Sequence, residues 1–533
     1  MGLPLHLLAL LLIFSAIIIP LFIVKKPKQK DRGKLKSHKL LPQPPGAWPF
    51  IGHMWQLLGG HVTLARTLGA MADRCGPIFS LRLGHRQTIV MSEWEVVKDC
   101  FTNHDATTCT RPRMAVSKYL AYDYAAFTNA PYGRYWREIR KISTVELLSS
   151  KRLEKMKHVR VSEVNSCLEN LYKECTKERI KGNNYIKFSI GKWFEYLSFN
   201  IALCMIVGKR FSRELYDEKD SFASRFKKAI GTATHLAGTP VPSDFLPSIE
   251  WMDFLGYIGA MKETQKEIDT IIGHWLDEHI QRRKECQGTN FEDCDFMDVM
   301  LSNIRGDFFT ASHNKDTIIK ATALTLLLTG SESTSITLTW AVSLLLNNPT
   351  VLKQAQEEID LQVGKQRWVE ESDITNLPYL QAIVKETLRL YPPSPLTGPR
   401  EAMEDCHISD YHIPKGSRLL VNIWKLHRDP RVWTEPEEFR PERFLNEKRS
   451  VDFGGLNFEY IPFSLGRRGC PGMTFGLQVV QLMLARLVQG FDMCTEDGSP
   501  VEMSEELGLA LPKAGPVHAM LAPRLSSHLY ETL

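Results

Sequence analysis

The chain has 533 residues and 11 scattered cysteines, an odd number with no CxxC pair, which argues against a disulfide framework or a zinc ribbon and for reduced core thiols. Its formal charge of +5 is misleading as a whole-molecule figure. Eight lysines and arginines lie between Lys25 and Lys39 against the single acid Asp31, so the remainder from Leu40 onward is slightly acidic. A body without excess positive charge is not built to bind nucleic acid. There is no internal repeat and no permissible Asn-x-Ser/Thr sequon, so one large domain facing the cytosol is expected.

Leu3 to Val24 is 22 residues long and apolar except for His6 and Ser15, long enough to cross a bilayer with some tilt. It lacks the positive start and small-residue cleavage site of a secretory signal. The basic collar after it predicts, by the positive-inside rule, a cytoplasmic body. The expected division is therefore an anchor over 1–24, a basic linker over 25–41 and a catalytic domain over 42–533. Pro42 to Pro49 is too rich in proline for a helix and reads as a stiff spacer. Ile78–Gly84 and Thr88–Met91 predict a β-hairpin around a Gly-His-Arg-Gln turn.

Tyr119 to Phe127 is an aromatic loop in which one acid, Asp123, stands among Tyr119, Tyr122, Tyr124 and Phe127, a composition suited either to a core lid or to a cationic amine. A helix begins after Pro131-Tyr132-Gly133. On it Trp136 and Arg140 share a face, an indole N–H and a guanidinium that both suit carboxylates, while Arg137 and Lys141 lie on the neighbouring stripe. Residues 151–287 read mostly as helix, interrupted at Gly238 to Pro242 and followed by the apolar runs Phe245–Pro247 and Trp251–Leu255, either core or a surface dipping into a membrane. Asn314 to Leu346 predicts one helix of about 50 Å. Its middle, Thr329-Gly330-Ser331-Glu332-Ser333-Thr334, is a polar interruption that serves structure poorly.

Glu386 and Arg389 share a helix face at i, i+3, a pairing that on a surface contributes little. Ser394 to Arg400 reads as strand-like, and Phe439 to Phe444 contains Pro-Glu-Arg-Phe. The last motif is Phe463-x-x-Gly466-x-Arg468-x-Cys470-x-Gly472, a glycine-punctuated turn entering the apolar helical pattern Met473 to Phe491. Cys470 thus precedes a helix N-terminus, where the dipole and unpaired N–H groups favour a thiolate that can ligate haem iron.

At these residues the chain resembles the cytochromes P-450, and the other motifs fall in that family's order and spacing. The resemblance implies a mainly α fold with small β-sheets behind one N-terminal transmembrane helix. It implies haem b ligated by Cys470, shielded by Phe463, with backbone approach allowed by Gly466 and Gly472, and with Trp136, Arg140, Arg400 and Arg468 on the propionates. Gly330 would leave room for oxygen, and Glu332 with Ser333 would relay protons. Ser333 stands where the family usually has threonine, and Thr334 is a less direct substitute about 100° round the helix. Glu386, Arg389 and Arg443 would form a buried scaffold. Tyr122, Asp123, Tyr124, Phe127, Thr329, Leu396, Thr397 and Leu509 would line the substrate pocket.

Pro44-Pro45-Gly46-Ala47-Trp48-Pro49, Ala130–Gly133 and Thr337–Asn348 are similar to plant microsomal members of the family. The implied activity is oxygen insertion into a hydrophobic specialised metabolite, an alkaloid first, with electrons from NADPH through cytochrome P-450 reductase docked near Arg137 and Lys141, at the endoplasmic reticulum membrane. Two alternatives stay open: a reductase-independent isomerase or dehydratase on the same haem, and a membrane haem-binding protein without turnover.

Overall fold

The computed structural model describes residues 39–58, 62–179, 185–212, 222–253, 255–285, 294–304, 313–508 and 510–533. The expected membrane anchor and most of the basic linker lie outside them, as does Leu509. The described body is mainly helical, with three small sheets.

Helix α1 (Leu64–Cys75) leads into the predicted hairpin, β1 (Ile78–Leu83) and β2 (Arg86–Met91), paired from Ile78 opposite Met91 to Leu83 opposite Arg86. Gly84 in the turn has φ +58°, and a Cβ there would stand 2.6 Å from the Phe245 carbonyl oxygen. The turn therefore needs glycine on both counts. Strand β2 pairs in parallel with β7 (Arg418–Val421), which pairs antiparallel with the two-residue β4 (Arg400–Glu401), so this sheet carries Arg400 to its edge. Strands β5 (Cys406–Ile408) and β6 (Tyr411–Ile413) form a second sheet, and β3 (Ile186–Ser189), β9 (His518–Pro523) and β8 (Phe491–Cys494) a third.

The helices that matter for function are α2 (Arg134–Lys141), α3 (Ile190–Val207), α4 (Phe222–Gly238), α5 (Tyr257–Glu285), α6 (Phe296–Asn303), α7 (Lys315–Asn347), α8 (Pro378–Leu390) and α9 (Met473–Gly490). Helix α7 is the axis of the body. The Asn314 side chain accepts the Thr317 N–H at 2.7 Å and caps it, and Pro349 opens the next helix just beyond its end. Its polar middle does not break it. Ser331, Ser333, Thr334 and Thr337 each donate to the carbonyl four residues earlier, at 2.7–2.9 Å, so their hydroxyls are satisfied within the helix.

Helix α3 packs along α7 more extensively than any other pair of elements. It is apolar and long enough to cross a membrane, but 78% of it is buried inside the protein, which identifies it as core. The exposure of Trp251 (81%) and Leu255 (60%) removes those two from the core, while Phe245 packs against the first sheet.

Behind α9, Glu386 and Arg389 on α8 meet Arg443, and all three are buried. Arg389 grips the Glu386 carboxylate with Nε at 2.7 Å and Nη2 at 2.9 Å; Arg443 Nε and the Arg440 N–H each add a bond at 3.0 Å. Removing the carboxylate leaves two guanidinia buried without it, a loss of about 3–5 kcal/mol. Glu386→Ala is therefore expected to abolish accumulation of folded, haem-loaded protein, read from the absorption spectrum of the expressed protein against total chain on a blot. Normal holoprotein yield would show that the triad carries no weight.

Candidate functional site

The turn before α9 is closed by its own backbone: the Cys470 N–H donates to the Phe463 carbonyl at 2.9 Å and the Gly469 N–H to the Gly466 carbonyl at 3.0 Å. Phe463 packs edge-on against Phe453, with ring centroids 5.5 Å apart. Gly466 lies at φ +67°, and any Cβ there would run into the Asp105 carboxylate. That glycine is thus also demanded by an acid from elsewhere in the chain. A Cβ on Gly472 would make an ordinary contact with Cys470 Sγ at 3.9 Å, so nothing in the protein itself requires glycine at that position.

Asp105 is the organising carboxylate of this region. It accepts from Arg400 Nη1 at 2.7 Å, from the Arg467 backbone N–H at 3.0 Å and from Arg467 Nη1 at 2.9 Å. Burial works against its ionisation, but the two guanidinia outweigh burial and hold its carboxyl below the usual range. Arg400 Nη2 also donates to the Leu465 carbonyl at 2.8 Å, tying β4 to the cysteine turn.

The four expected propionate partners are brought to this turn, each with a protein contact already made. Arg468 donates to the carbonyls of Cys109, Phe127 and Ala130, and its guanidinium lies 4.3 Å from the Trp136 ring centroid. The Trp136 indole donates to the Phe127 carbonyl at 3.0 Å, and Arg140 donates to the Gly469 carbonyl. Arg111, which sequence reasoning missed, lies half-buried nearby and donates to the carbonyls of Thr128, Gly398 and Pro399. Burial and the neighbouring cations push both Arg111 and Arg468 down to about 9. Asp105 is bonded by Arg400 and Arg467, while the partners of Arg111, Arg140 and Arg468 are carbonyl oxygens. That surplus of confined positive charge, satisfied mainly by carbonyl oxygens, fits a dianionic group such as the propionate edge of haem.

Cys470 is enclosed on most sides, which raises its thiol pKa, while the Gly472 N–H and Arg140 pull it down. Its surface is nonetheless open. So are Thr329 and Ser333, one turn apart on the otherwise buried middle of α7, and a Cβ on Gly330 would sit 3.7 Å from Phe475, one turn into α9. Gly330 and Phe475 bring the midpoint of α7 close to the start of α9, and the exposure of Thr329 and Ser333 marks unfilled space beside that approach. Thr334 is 4% exposed, with its hydroxyl on the Gly330 carbonyl, and does not open into that space.

The expected substrate residues scatter. Tyr122 is buried and faces Asp269 and Gln265 on α5, with Lys320, itself bonded to Asp269 at 2.6 Å, lying 5.9 Å from its ring. Tyr119 donates to Glu250 at 2.6 Å, and Lys118 and Lys262 already cover its ring. Asp123 is exposed, and its charge is felt by Tyr124 and His313. The tyrosines therefore do not converge on Asp123 to cradle a cation. Tyr122, Asp123 and Tyr124 all have positive φ (54°, 48°, 68°), which turns their side chains apart. Phe127 is core, and its carbonyl serves Trp136 and Arg468. Thr397 is buried, with its hydroxyl accepting the Val421 N–H at 3.0 Å, and Leu396 packs against the first sheet.

Glu332 is pushed up to about 7 by burial, against which a hydrogen bond from Thr234 works. The ordinary glutamate value is 4.5, so the folded protein holds a proton that the unfolded chain releases between those two values. Stability from this group is full below pH 4.5 and is lost as pH rises through about 7. Glu332→Gln should therefore gain about 1–3 kcal/mol on wild type between the two ends of that window, measured by denaturant titration at matched haem loading. A difference independent of pH would put the carboxyl in bulk solvent.

The cytochrome P450 family pattern matches residues 42–520. A xanthotoxin 5-hydroxylase of Arabidopsis thaliana is 47% identical over 97% of this chain and 98% of its own length. A strychnine-10-hydroxylase of Strychnos nux-vomica is 45% identical over 98% of each. A zebra fish cytochrome P450 solved with progesterone superposes with a TM-score of 0.72 at 22% identity, covering 87% of this chain and all of the other, a likeness of fold alone. The chain belongs to the cytochrome P450 family.

Proposed function

We propose that this cytochrome P450 inserts one oxygen atom from O2 into a hydrophobic plant specialised metabolite, an alkaloid, by hydroxylation or demethylation. The cofactor of the family is haem with a cysteine-thiolate ligand, fed from NADPH through a reductase, and when bound it supplies the reductive activation of dioxygen. The observation that carries the reading is the exposure of Thr329 and Ser333 on α7 and of Cys470 before α9, where Gly330 and Phe475 bring the two helices together.

In this reading Cys470 is the ligand and Phe463 shields its sulfur. Arg111, Arg140, Arg400 and Arg468 hold the acidic edge, while Trp136 fixes the loop carbonyl that Arg468 also uses. Gly330 keeps α7 low beside Phe475, and Thr329 faces substrate. Glu332, near half-protonation at neutral pH, exchanges its proton with Ser333, whose own hydroxyl proton is spent on the Thr329 carbonyl. The openness of Ser333 and the burial of Thr334 favour Ser333 as the working hydroxyl. Residues 1–24 serve as a single membrane anchor and 25–41 as its basic collar, with the domain from 42 to 533 on the cytosolic side of the endoplasmic reticulum. The alkaloid is named from relatives acting on strychnine and nicotine, beside which a xanthotoxin hydroxylase and a flavonoid hydroxylase align as well, so coumarins and flavones belong in the same test.

Microsomes carrying the protein and a reductase are expected to give the thiolate-type reduced carbon monoxide spectrum and NADPH-dependent oxidation within a panel of alkaloids, coumarins and flavones. Turnover that persists without NADPH would replace this reading with an isomerase. Ser333→Ala should raise hydrogen peroxide released per NADPH roughly two- to ten-fold at the expense of product; an unchanged product-to-NADPH ratio would sink the role given to Ser333.

A further inference from the structure

Where α3, α5 and α6 meet, ionisable side chains are sealed from solvent: His279 on α5 is 3% exposed, Asp295 before α6 is 2% exposed and Asp298 within α6 is fully buried. The Asp295 carboxylate serves all of these helices. Its Oδ1 accepts the Asp298 N–H at 3.0 Å and caps α6, and its Oδ2 lies 2.9 Å from His279 Nε2. The same oxygen fits against the end of α3, where a Cβ on Gly208, at φ +65°, would stand 2.9 Å from it.

Two guanidinia already balance the acids. Arg282 Nη2 bonds Asp298 Oδ2 at 2.6 Å and lies 3.8 Å from Asp295 Oδ2, while Arg283 Nη2 bonds the Asp298 carbonyl at 2.6 Å, with its Nε 3.5 Å from Asp298 Oδ1. Further out, Lys209 just past α3 and His274 on α5 both pair with the exposed Glu278, at 2.5 and 3.0 Å.

The ring of His279 is the informative group. Its Nδ1 lies 2.7 Å from the Trp275 carbonyl oxygen, one turn back on α5, while its Nε2 faces the carboxylate. Both partners are acceptors. A neutral imidazole has one N–H, so either tautomer aims a ring lone pair at an oxygen lone pair at hydrogen-bond distance; the imidazolium, with two N–H groups, satisfies both contacts. His427 is the contrast, because its Nε2 accepts the Ile461 N–H.

We propose that His279 is a buried imidazolium that pins α6 to α5 and to the end of α3, and that losing its proton releases α6 from this corner. Burial works against the charge, but the Asp295 bond and charge, the Trp275 carbonyl and Asp298 outweigh it and hold the ring above its ordinary 6.5. The raised value fixes the sign: the pin is at full strength below pH 6.5 and is lost as pH rises through the ring's own midpoint. Helix α6 also packs on α7, so its release loosens one support of the long helix.

The test uses the haem-loaded full chain, isotopically labelled in its histidine ring nitrogens. The magnetic-resonance signal that His279→Gln removes should show both ring nitrogens protonated at pH 6.5 and convert to a neutral ring above it. If the glutamine variant does not fold, Asp295→Asn, which keeps an acceptor for the Asp298 N–H, identifies the same signal by lowering its midpoint. Hydrogen exchange over Phe296–Asn303, corrected for intrinsic pH dependence, reads the consequence. Opening should rise roughly ten-fold per pH unit from 6.5 to the ring's midpoint and level off beyond it, and His279→Gln should lack that slope. A ring still neutral below pH 6.5 overturns the imidazolium. An α6 whose exchange follows one pH profile in wild type and His279→Gln overturns the pin.

Discussion

The buried Glu386 carboxylate is the interaction on which the haem side of this protein depends. Its four bonds, to Arg389, Arg443 and the Arg440 N–H, join α8 to the segment around residues 436–443, and Arg389 then spends its remaining donors on the carbonyls of His427, Pro436 and Glu438. His427 extends the network toward the cysteine. Burial and the adjacent Arg389 push it down to about 3, so it is neutral, and a neutral ring can donate at Nδ1 while accepting at Nε2. Its Nδ1 faces the Arg389 carbonyl at 3.3 Å, and its Nε2 accepts the Ile461 N–H at 2.9 Å. The Ile461 carbonyl takes the Ser464 N–H at 2.9 Å, next to the Phe463 carbonyl that holds Cys470. A continuous run of bonds thus fixes the cysteine turn from behind.

On the other side of that turn the electrostatics are of opposite character. Around Glu386 one buried carboxylate bonds both guanidinia; near Asp105, which bonds Arg400 and Arg467, the guanidinia of Arg111, Arg140 and Arg468 have carbonyl oxygens as partners. Carbonyl dipoles solvate a guanidinium but do not cancel its charge, and the depression of Arg111 and Arg468 to about 9 registers the strain. The scaffold holds the cysteine turn with partners from the protein alone, whereas in the proposed site the arginine group takes an anion as a further partner.

What could be read from the sequence was what depends on near neighbours. The hairpin, the long helix capped by Asn314, the Glu-x-x-Arg turn and the cysteine turn are set by residues within a few positions of one another and form at the expected places, except that Arg86 and Gln87 of the expected four-residue turn pair in β2 opposite Leu83 and Arg82 and leave Gly84-His85 as the turn. Asp105, Arg111 and His427 were missed for the opposite reason. Each looks ordinary in its own segment, and its partners lie far along the chain, as when Asp105 meets Arg467 across 362 positions. Gly466 was singled out correctly, but the acid that demands it has no local signature. The tyrosine loop left two readings open, a core lid and a cradle for a cation, and in the fold Tyr122 and Phe127 are buried while Asp123 is exposed.

The same contrast bears on how much of α7 is set by function. A helix middle carrying Ser331, Glu332, Ser333, Thr334 and Ser335 would be a poor choice for packing alone, yet the hydroxyls cost it little once each donates to a carbonyl of its own helix. Donation uses up the hydroxyl proton and leaves the oxygen lone pairs directed away from the helix axis. A buried hydroxyl such as that of Thr334 can do nothing further with them. An open one such as that of Ser333 can accept a proton from a neighbouring acid and pass on its own as the helix bond is remade. In the proposed relay, structure and proton transfer use the same atom in succession, and Ser333 is the residue whose side chain is open enough to serve both.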